Sequence, residues 1–321
     1  DREFLDGCID HVLAINRNSI EIQSGNYSSW YQNKLQKDQL EFNENKKLMK
    51  EISRLKDASK ETKQWSDRIE NTKNGHKISG IKPDKGYIGH QSAKMMKKSK
   101  NLIKRQEKLI EEKERLLKDI ELQGNLFLHP LNYPKKEFIK VNHLSFNYGD
   151  KNILQDLSFV IKRGDRISIN GSNGSGKSTL FNCLIGKLEV ESSMILKPKD
   201  LKISYVPQEI KNLKGSFKEY IRSKEIDETL CRTLLSKLNI SKDLLESDIE
   251  SYSDGQKKKL LLSISLATKA HLYIWDEPMN YIDVISREQI EKVILDNDIT
   301  LIFVEHDNYF KKKIANKNIE L

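Results

Sequence analysis

Three short stretches of this chain carry the residue types that phosphate chemistry requires. The first is Gly171-Ser172-Asn173-Gly174-Ser175-Gly176-Lys177-Ser178-Thr179. It follows an apolar run, Arg166–Asn170, and opens a helical stretch, the context in which this spacing wraps phosphates. Its glycines let backbone N–H groups turn inward, and the helix N-terminus adds positive potential. Lys177 is expected to reach the β- and γ-phosphates of a nucleotide, and Ser178 to offer its hydroxyl to Mg²⁺. The second stretch, His271 to Glu277, is an apolar strand ending in two carboxylates. Asp276 can hold Mg²⁺, directly or through water, and Glu277 can orient and deprotonate an attacking water. As isolated strand-end acids they would mean little; beside a phosphate loop they complete a site. The third, Ser251-Tyr252-Ser253-Asp254-Gly255-Gln256, precedes the lysine-rich helix start Lys257–Lys259. Ser253 and the Gly255 backbone could bind a phosphate held by another subunit.

These motifs need a scaffold that brings strand ends together. Apolar runs at Phe138–Phe146, Ser158–Ile161, Arg166–Asn170, Lys202–Val206, Leu272–Trp275 and Leu301–Val304 alternate with helical stretches, one of them starting at Lys177. That alternation predicts an α/β domain built on a parallel sheet.

Upstream the text changes. No proline or glycine occurs from Trp30 to Thr72. Leu48, Ile52, Leu55, Thr62 and Ile69 recur at three- and four-residue steps, with Ala58 and Trp65 beside the stripe, so residues 34–72 read as one long helix. Residues 91–123 read as a second, with Met95, Leu102, Leu109 and Leu116 seven apart and Met96, Ile103, Ile110 and Leu117 flanking them. Such seams fit a two-helix antiparallel coiled coil. Gly75, Gly80, Pro83, Gly86 and Gly89 break helices and predict a hairpin tip at about 74–90, and Gly124 ends the second helix.

The charge is concentrated there. Between Asn71 and Lys108 stand eleven basic residues against two acidic ones, Asp84 and Glu107; this surplus equals the net charge of the whole 321-residue chain, +9. A block of one sign fits a polyanion partner better than a solvated face once a protruding hairpin presents it. The chain has no stretch of 18 apolar residues free of charge, which excludes a membrane-spanning helix. Cys8, Cys183 and Cys231 are odd in number and widely spaced; they predict neither a disulfide framework nor a metal-ligand pair, and a reducing cytoplasm is the expected address.

A weak internal repeat completes the reading. Asp1-Arg2-Glu3-Phe4 matches Asp307-Asn308-Tyr309-Phe310, and a strand-like segment follows each, Val12–Ile15 and Asn318–Leu321. Residues near the start therefore read as the tail of a first copy of the later domain.

Taken in order, residues 137–321 resemble the nucleotide-binding cassette of ABC ATPases. The resemblance rests on the phosphate loop 171–179, Gln208 after Tyr205-Val206-Pro207, the signature 252–256, Asp276-Glu277, Asp283 in the following loop, and His306. It implies ATP and Mg²⁺ as cofactors and ATP hydrolysis as the reaction. Tyr148 matches the aromatic that stacks on adenine. Gly171, Asn173, Gly174, Gly176, Lys177, Ser178 and Thr179 would bind the nucleotide; Ser178, Gln208 and Asp276 would hold Mg²⁺; Glu277, Gln208 and His306 would serve the chemical step. Ser253, Gly255 and Gln256 would serve a partner cassette's nucleotide. Tyr252 and Asp254 depart from the family's Leu-Ser-Gly-Gly-Gln, and Asp254 adds negative charge where a γ-phosphate would sit.

The rest of the chain is similar to the ABC-F branch. Gly25-Asn26-Tyr27-Ser28-Ser29-Trp30 matches the exit from a first cassette. Gly86-Tyr87-Ile88-Gly89-His90 and Ala93-Lys94-Met95-Met96-Lys97 resemble linkers of the lincosamide, streptogramin A and pleuromutilin resistance proteins. The expected organisation is a remnant of a first cassette at 1–30, a helical hairpin linker at 31–124, and a second cassette at 125–321. The fold class expected is α/β, a P-loop ABC-type nucleotide-binding domain preceded by a long antiparallel α-helical hairpin. The resemblance implies a ribosome partner, both rRNA and P-site tRNA, reached through residues 71–108, with no membrane partner. It also implies a second partner, the first cassette, without which neither composite site closes. Alternatives are a housekeeping ABC-F translation factor or the ATPase subunit of a transporter; a hairpin before the cassette and a short 208–251 segment fit the transporter role poorly.

Overall fold

The computed structural model describes residues 2–15, 19–71, 84–116, 126–210 and 213–321. The chain divides into two units, residues 4–121 and residues 1–3 with 122–321.

The first unit is dominated by helices. After α1 (Arg2–Cys8) come the antiparallel strands β1 (His11–Ile15) and β2 (Ile20–Ser24). Helix α2 (Tyr27–Asn71) then runs 45 residues, about 68 Å at 1.5 Å per residue. It starts seven residues before the expected Lys34 because Asn26 caps it: the Asn26 Oδ1 accepts from the Ser29 backbone N–H at 3.0 Å. Helix α3 (Lys85–Leu116) packs along it. Lys85 to His90, expected in a tip loop, form the opening turns of α3, and residues 72–83 and 117–125 of the expected tip and helix end lie outside the described residues. Gly86 and Gly89 are tolerated there because the Asp84 carboxylate accepts from the backbone of Gly86 and Tyr87, at 2.9 and 3.1 Å, and caps the first turn.

The seam between α2 and α3 follows the stripe that periodicity predicts, with Leu55 buried and Leu48, Ile52, Thr62, Met95, Leu102 and Leu109 partly buried, but serines take its most buried remaining positions. Its most buried members include Leu55 and four serines, Ser59, Ser66, Ser92 and Ser99. Ser59 faces Ser99, with hydroxyls 3.3 Å apart, and Ser66 faces Ser92 at 3.1 Å. Each pair also reaches the opposite main chain, Ser99 donating to the Ser59 carbonyl and Ser66 to the Ser92 carbonyl. Small side chains bring the two backbones close, and every buried hydroxyl of the four has a partner. Trp65 and Ile103, placed near the seams by sequence, instead face solvent.

The second unit is the α/β domain. Strands β3 (Glu137–Tyr148) and β4 (Lys151–Lys162) pair antiparallel, and β6 (Ile195–Leu196) joins β3. Strand β5 (Arg166–Asn170) leads into α4 (Lys177–Ile185). Strand β7 (Ile203–Val206) is followed by a helical layer, α5 (Phe217–Ser223) and α6 (Glu228–Lys237), before α7 (Asp254–Ala267). Strand β8 (Leu272–Asp276), α8 (Val284–Leu295), β9 (Thr300–Val304), α9 (Asn308–Ile314) and β10 (Lys317–Glu320) close the chain. The five-stranded sheet β10-β5-β9-β8-β7 is parallel throughout, as expected; the smaller antiparallel sheet was not anticipated as a separate layer.

Both faces of the parallel sheet are covered, so β8 and β9 are buried along their whole length. Their alternate residues build two cores. Tyr273, Trp275, Leu301 and Phe303 pack with the α7–α9 side, and Leu272, Ile274, Ile302 and Val304 pack with α4, β3 and β4. A third cluster holds the helical layer together around Phe217, Ile221, Leu235 and Leu260. Strands fixed on both faces bring β5, β7, β8 and β9 to a common carboxyl edge, where the ligand crevice of such sheets lies.

The internal repeat is visible in the elements. Adding 306 to each residue number carries α1 onto α9 over all seven residues and His11, the start of β1, onto Lys317, the start of β10. The burial differs: Phe310 is fully buried, while its counterpart Phe4 is 67% exposed.

Candidate nucleotide site

The phosphate loop forms the turn between β5 and α4. Gly176 caps α4 in the left-handed region, φ +98°, and a β-carbon there would press within 3 Å of Leu154 and Ile153 side chains. Only glycine lets the loop close against β4. Lys177 curls back into the loop and donates to the carbonyls of Gly171 and Ser172, at 2.9 and 2.8 Å. Ser175 Oγ is buried with no hydrogen-bond partner among the described residues. A cleft of about 270 Å³ opens over this loop, lined by Ile153, Asn173, Gly174, Gly176, Lys177, Ser178, Thr179, Gln208, Asp276 and Glu277.

The other motifs arrive at the same edge. Asp276 ends β8 and accepts from Ser178 Oγ at 2.8 Å. Gln208 follows β7; its Oε1 lies 3.4 Å from Ser178 Oγ, and its Nε2 donates to Glu277 Oε1 at 2.9 Å. His306 follows β9 and places Nε2 3.3 Å from the same Glu277 oxygen. Burial holds the Asp276 carboxyl above the usual carboxylate range; Glu277 adds to the rise, while Ser178, Lys258 and Lys177 oppose it. A buried carboxylate with a raised pKa beside a cationic loop fits a site completed by a positive ion.

The residues present fit MgATP. The unpartnered Ser175 hydroxyl and the inward lysine are what a phosphate would satisfy. Ser178, Asp276 and Gln208 offer a hard-oxygen donor set of the sort Mg²⁺ takes, completed by phosphate oxygens and water. Among the described residues no cluster of three His, Cys, Asp or Glu side chains could hold a metal by itself. When bound, the ion neutralises charge on the phosphates.

Glu277 is held from three sides. Gln208 and His306 meet Oε1, and Asn280 Nδ2 donates to Oε2 at 2.6 Å. Its backbone sits at φ +47°, an uncommon conformation for a side chain of this size and one that marks functional sites. The three contacts fix the carboxylate's direction over the cleft, as a base that orients water requires.

The signature residues do not join this cleft. Ser253 and Gln256 form a reciprocal capping box at the start of α7. Gly255 is required by close approach: a β-carbon would come within 2.7 Å of the Tyr281 carbonyl. Asp254 lines a neighbouring cavity of about 400 Å³ with Gln208, Glu209, Ile210, Glu277, Asn280 and Tyr281. Tyr148, the expected adenine partner, stands half-exposed at the end of β3, edge-on to Phe146, and is not among the residues lining the phosphate cleft.

The family comparison agrees with this geometry: residues 154–280, from β4 to the Asn280 loop, match the ABC transporter family. The cassette has the ABC nucleotide-binding fold. A solved ATP binding subunit of an ABC transporter is similar in fold at a TM-score of 0.50 and 22% identity, over 57% of this chain and 85% of that one. Homologous ABC domains are ATPases. Among curated proteins, the Putative ATP-binding protein YdiF of Bacillus subtilis is 28% identical over 331 residues, taking in 100% of this chain and 46% of the relative. The Ribosome protection protein VmlR of the same organism is 26% identical over 331 residues, 99% of this chain and 58% of the relative. An Arabidopsis thaliana ABC transporter F family member is 30% identical over 58% of this chain. The chain spans about half the length of the curated relatives it matches along its whole course. Among the described residues, no helix is long and apolar enough to cross a membrane.

Sequence reading missed three residues around this cleft. Asn280 was passed over; its place three residues after Glu277, in the turn before Asp283, was the available signal. Arg287 donates to the carbonyls of Ile282 and Met279 and pins the loop that holds Asn280. Arg2 is buried against the same region: it bonds Glu291, lies 3.7 Å from Asp307 and rides 4.5 Å over the Tyr309 ring. Nothing in the spacing of Asp1-Arg2-Glu3-Phe4 pointed to those partners.

Proposed function

We propose that this chain is the second-cassette half of an ABC-F ATPase that binds the ribosome and protects it from antibiotics acting at the peptidyl transferase centre. The observation that carries this reading is the similarity to a ribosome protection protein along 99% of the chain, hairpin and cassette together. The convergence of Ser178, Gln208, Asp276, Glu277 and His306 on one cleft supports MgATP binding and hydrolysis. Lys177 and the loop amides hold the phosphates, Asp276, Ser178 and Gln208 hold the metal, and Glu277 takes the proton of the attacking water while His306 and Gln208 orient it. Ser253, Gly255 and Gln256 serve the nucleotide of a partner cassette. Exposed Phe4, where the repeat buries Phe310, supports a first cassette covering α1 and β1. Without it the chain binds MgATP and turns it over slowly.

The ribosome contact is assigned to residues 71–108, reaching rRNA and P-site tRNA in the cytoplasm. Lys94, Lys97, Lys98, Lys100 and Lys104 are exposed along α3, and Tyr87 near its start is 65% exposed. Cations on a rod with an aromatic at its end bind folded RNA through backbone charge and stacking. ATP closure of the cassettes sets the hairpin's engagement, and hydrolysis releases it.

The deciding experiment expresses a two-cassette protein carrying this chain in a susceptible host. Inhibitory concentrations rise for at least one of the lincosamide, streptogramin A or pleuromutilin classes, and deletion of Ala93–Lys98 abolishes the rise. No shift in any class would leave the second reading, a housekeeping ABC-F translation factor. Ribosome binding is expected to weaken with salt, with a log–log slope of about −0.7 per neutralised phosphate.

A further inference from the structure

Lys258 stands two residues beyond Gln256 in the first turns of α7, and it is 1% exposed. Its ammonium donates to the main-chain carbonyl of Pro207 at 2.9 Å and to that of Asp276 at 3.2 Å. The first carbonyl immediately precedes Gln208; the second belongs to the carboxylate residue of the cleft. One side chain thus fastens the helix that carries the signature motif to two of the three main-chain segments that carry the Mg²⁺-binding groups, those of Gln208 and Asp276.

An ammonium is a costly way to fill that space. Burial pushes its pKa down to about 8, although Asp276, Glu305 and Glu277 pull the other way. A methionine of similar length would pack there without desolvating a charge, so packing alone does not account for a lysine. What methionine cannot do is tie two carbonyls from different strand ends to a third element. Lys258 is also flanked by anchors of the same helix. Lys259 donates to the Leu238 carbonyl and pairs with Asp283, and Lys257 donates to the Glu250 carbonyl. Of the three lysines only Lys258 reaches the phosphate cleft's own backbone.

We propose that Lys258 is a positioning residue that couples the metal-bearing loops of this cassette's cleft to its own signature motif. The inference rests on the MgATP reading of the cleft. Filling the cleft draws on Gln208 and Asp276 from the front; the carbonyls of Pro207 and Asp276, held from behind by Lys258, carry the displacement to the first turn of α7. Ser253 to Gln256, locked together by the capping box, move as one piece with that turn. By reciprocity a phosphate engaged at the signature strengthens metal–nucleotide binding in the cleft by the same factor. Two composite sites would then communicate through the interior of one cassette.

Amide hydrogen exchange on the full chain tests this, in ATP with Mg²⁺ and in ATP with a chelator. In the unmodified chain, ATP alone slows exchange at the phosphate loop, and adding Mg²⁺ slows it further at 207–209 and in residues 254–257. In Lys258→Met, fluorescent ATP still binds within about threefold of the unmodified affinity, less than 1 kcal/mol, but the Mg²⁺-dependent change at 254–257 disappears. Persistence of that change in Lys258→Met, or in Lys258→Gln, overturns the inference. So does an unmodified chain in which 254–257 never respond to Mg²⁺, a result that needs no variant to fold. Loss of all nucleotide protection at the phosphate loop would instead overturn the reading of the cleft, and is recognised because it appears before any substitution is made.

Discussion

The side-chain amide of Asn280 donates to Glu277 Oε2 at 2.6 Å, while the other carboxylate oxygen is met by Gln208 and His306. Asn280 therefore sets which way the carboxylate faces. A misdirected base loses rate far more than it loses substrate. In a two-cassette protein carrying this chain, Asn280→Ala is expected to lower turnover about 10- to 100-fold with ATP affinity nearly unchanged. Glu277→Gln removes the proposed base and should cost at least about 100-fold. Phosphate release paired with an ATP titration separates the two quantities; a parallel loss of affinity in Asn280→Ala would assign it to the phosphate cradle instead.

Lys177 donates to the carbonyls of Gly171 and Ser172. Those bonds are available to be exchanged for phosphate oxygens, which are stronger, charge-assisted partners. Lys177→Ala should weaken ATP binding by about tenfold or more, from the loss of a charged hydrogen bond of about 1.5–3 kcal/mol. The same variant should leave the melting temperature close to that of the unmodified chain.

The serine pairs of the hairpin invite a different measurement. Ser59 and Ser99 hold α2 and α3 near enough for side chain to touch main chain. Ser59→Leu, which improves the hydrophobic pattern on paper, should force the helices apart and cost about 1–3 kcal/mol of hairpin stability. Replacing both members, Ser59→Ala with Ser99→Ala, should be far milder, because no hydroxyl is left unpartnered. Chemical denaturation followed by Trp65 fluorescence compares the two.

Glu305 gives the pH test. Burial holds its carboxyl above the usual range, against hydrogen bonds from the backbone of His306, Met279 and Asp307 and the charge of Arg287. A carboxyl raised in the folded state binds its proton more tightly there than in the unfolded chain. Its contribution to stability therefore falls as pH rises from about 4.5 through the folded pKa, then levels off. Glu305→Gln removes the charge and keeps an acceptor for only one of the Met279 and His306 N–H groups, a fixed cost at every pH, so relative to that cost it should gain on the unmodified chain as pH rises through that window. Urea midpoints at pH 4.5 and 7.5 measure the difference; an equal offset at both would mean Glu305 does not carry the penalty.

Much of this protein is local in character, and local features are legible in a sequence. The turn from β5 to α4 needs glycines where the chain reverses and a lysine where phosphates sit, so residues 171–179 identify themselves. The same holds for β8, whose unbroken apolar run ends at Asp276 where the strand's carboxyl end lines the cleft, and for the parallel order, which follows from strands alternating with helices. The repeat of α1 and β1 in α9 and β10 was foreshadowed by two matching residues.

Contacts between distant segments left no such trace. Serines 40 and 26 residues apart pair inside the hairpin, and nothing in their spacing separates a buried hydroxyl from an exposed one; only the facing helix decides. Lys258 reads as one of three solvated lysines, yet the fold aims it at carbonyls 51 and 18 residues away. Arg2 finds its acid 289 residues later. The chain's own order determined which chemistry it carries and which elements hold it. The tertiary structure alone determined which polar groups lie buried and paired, because a buried donor's worth depends on the acceptor opposite it.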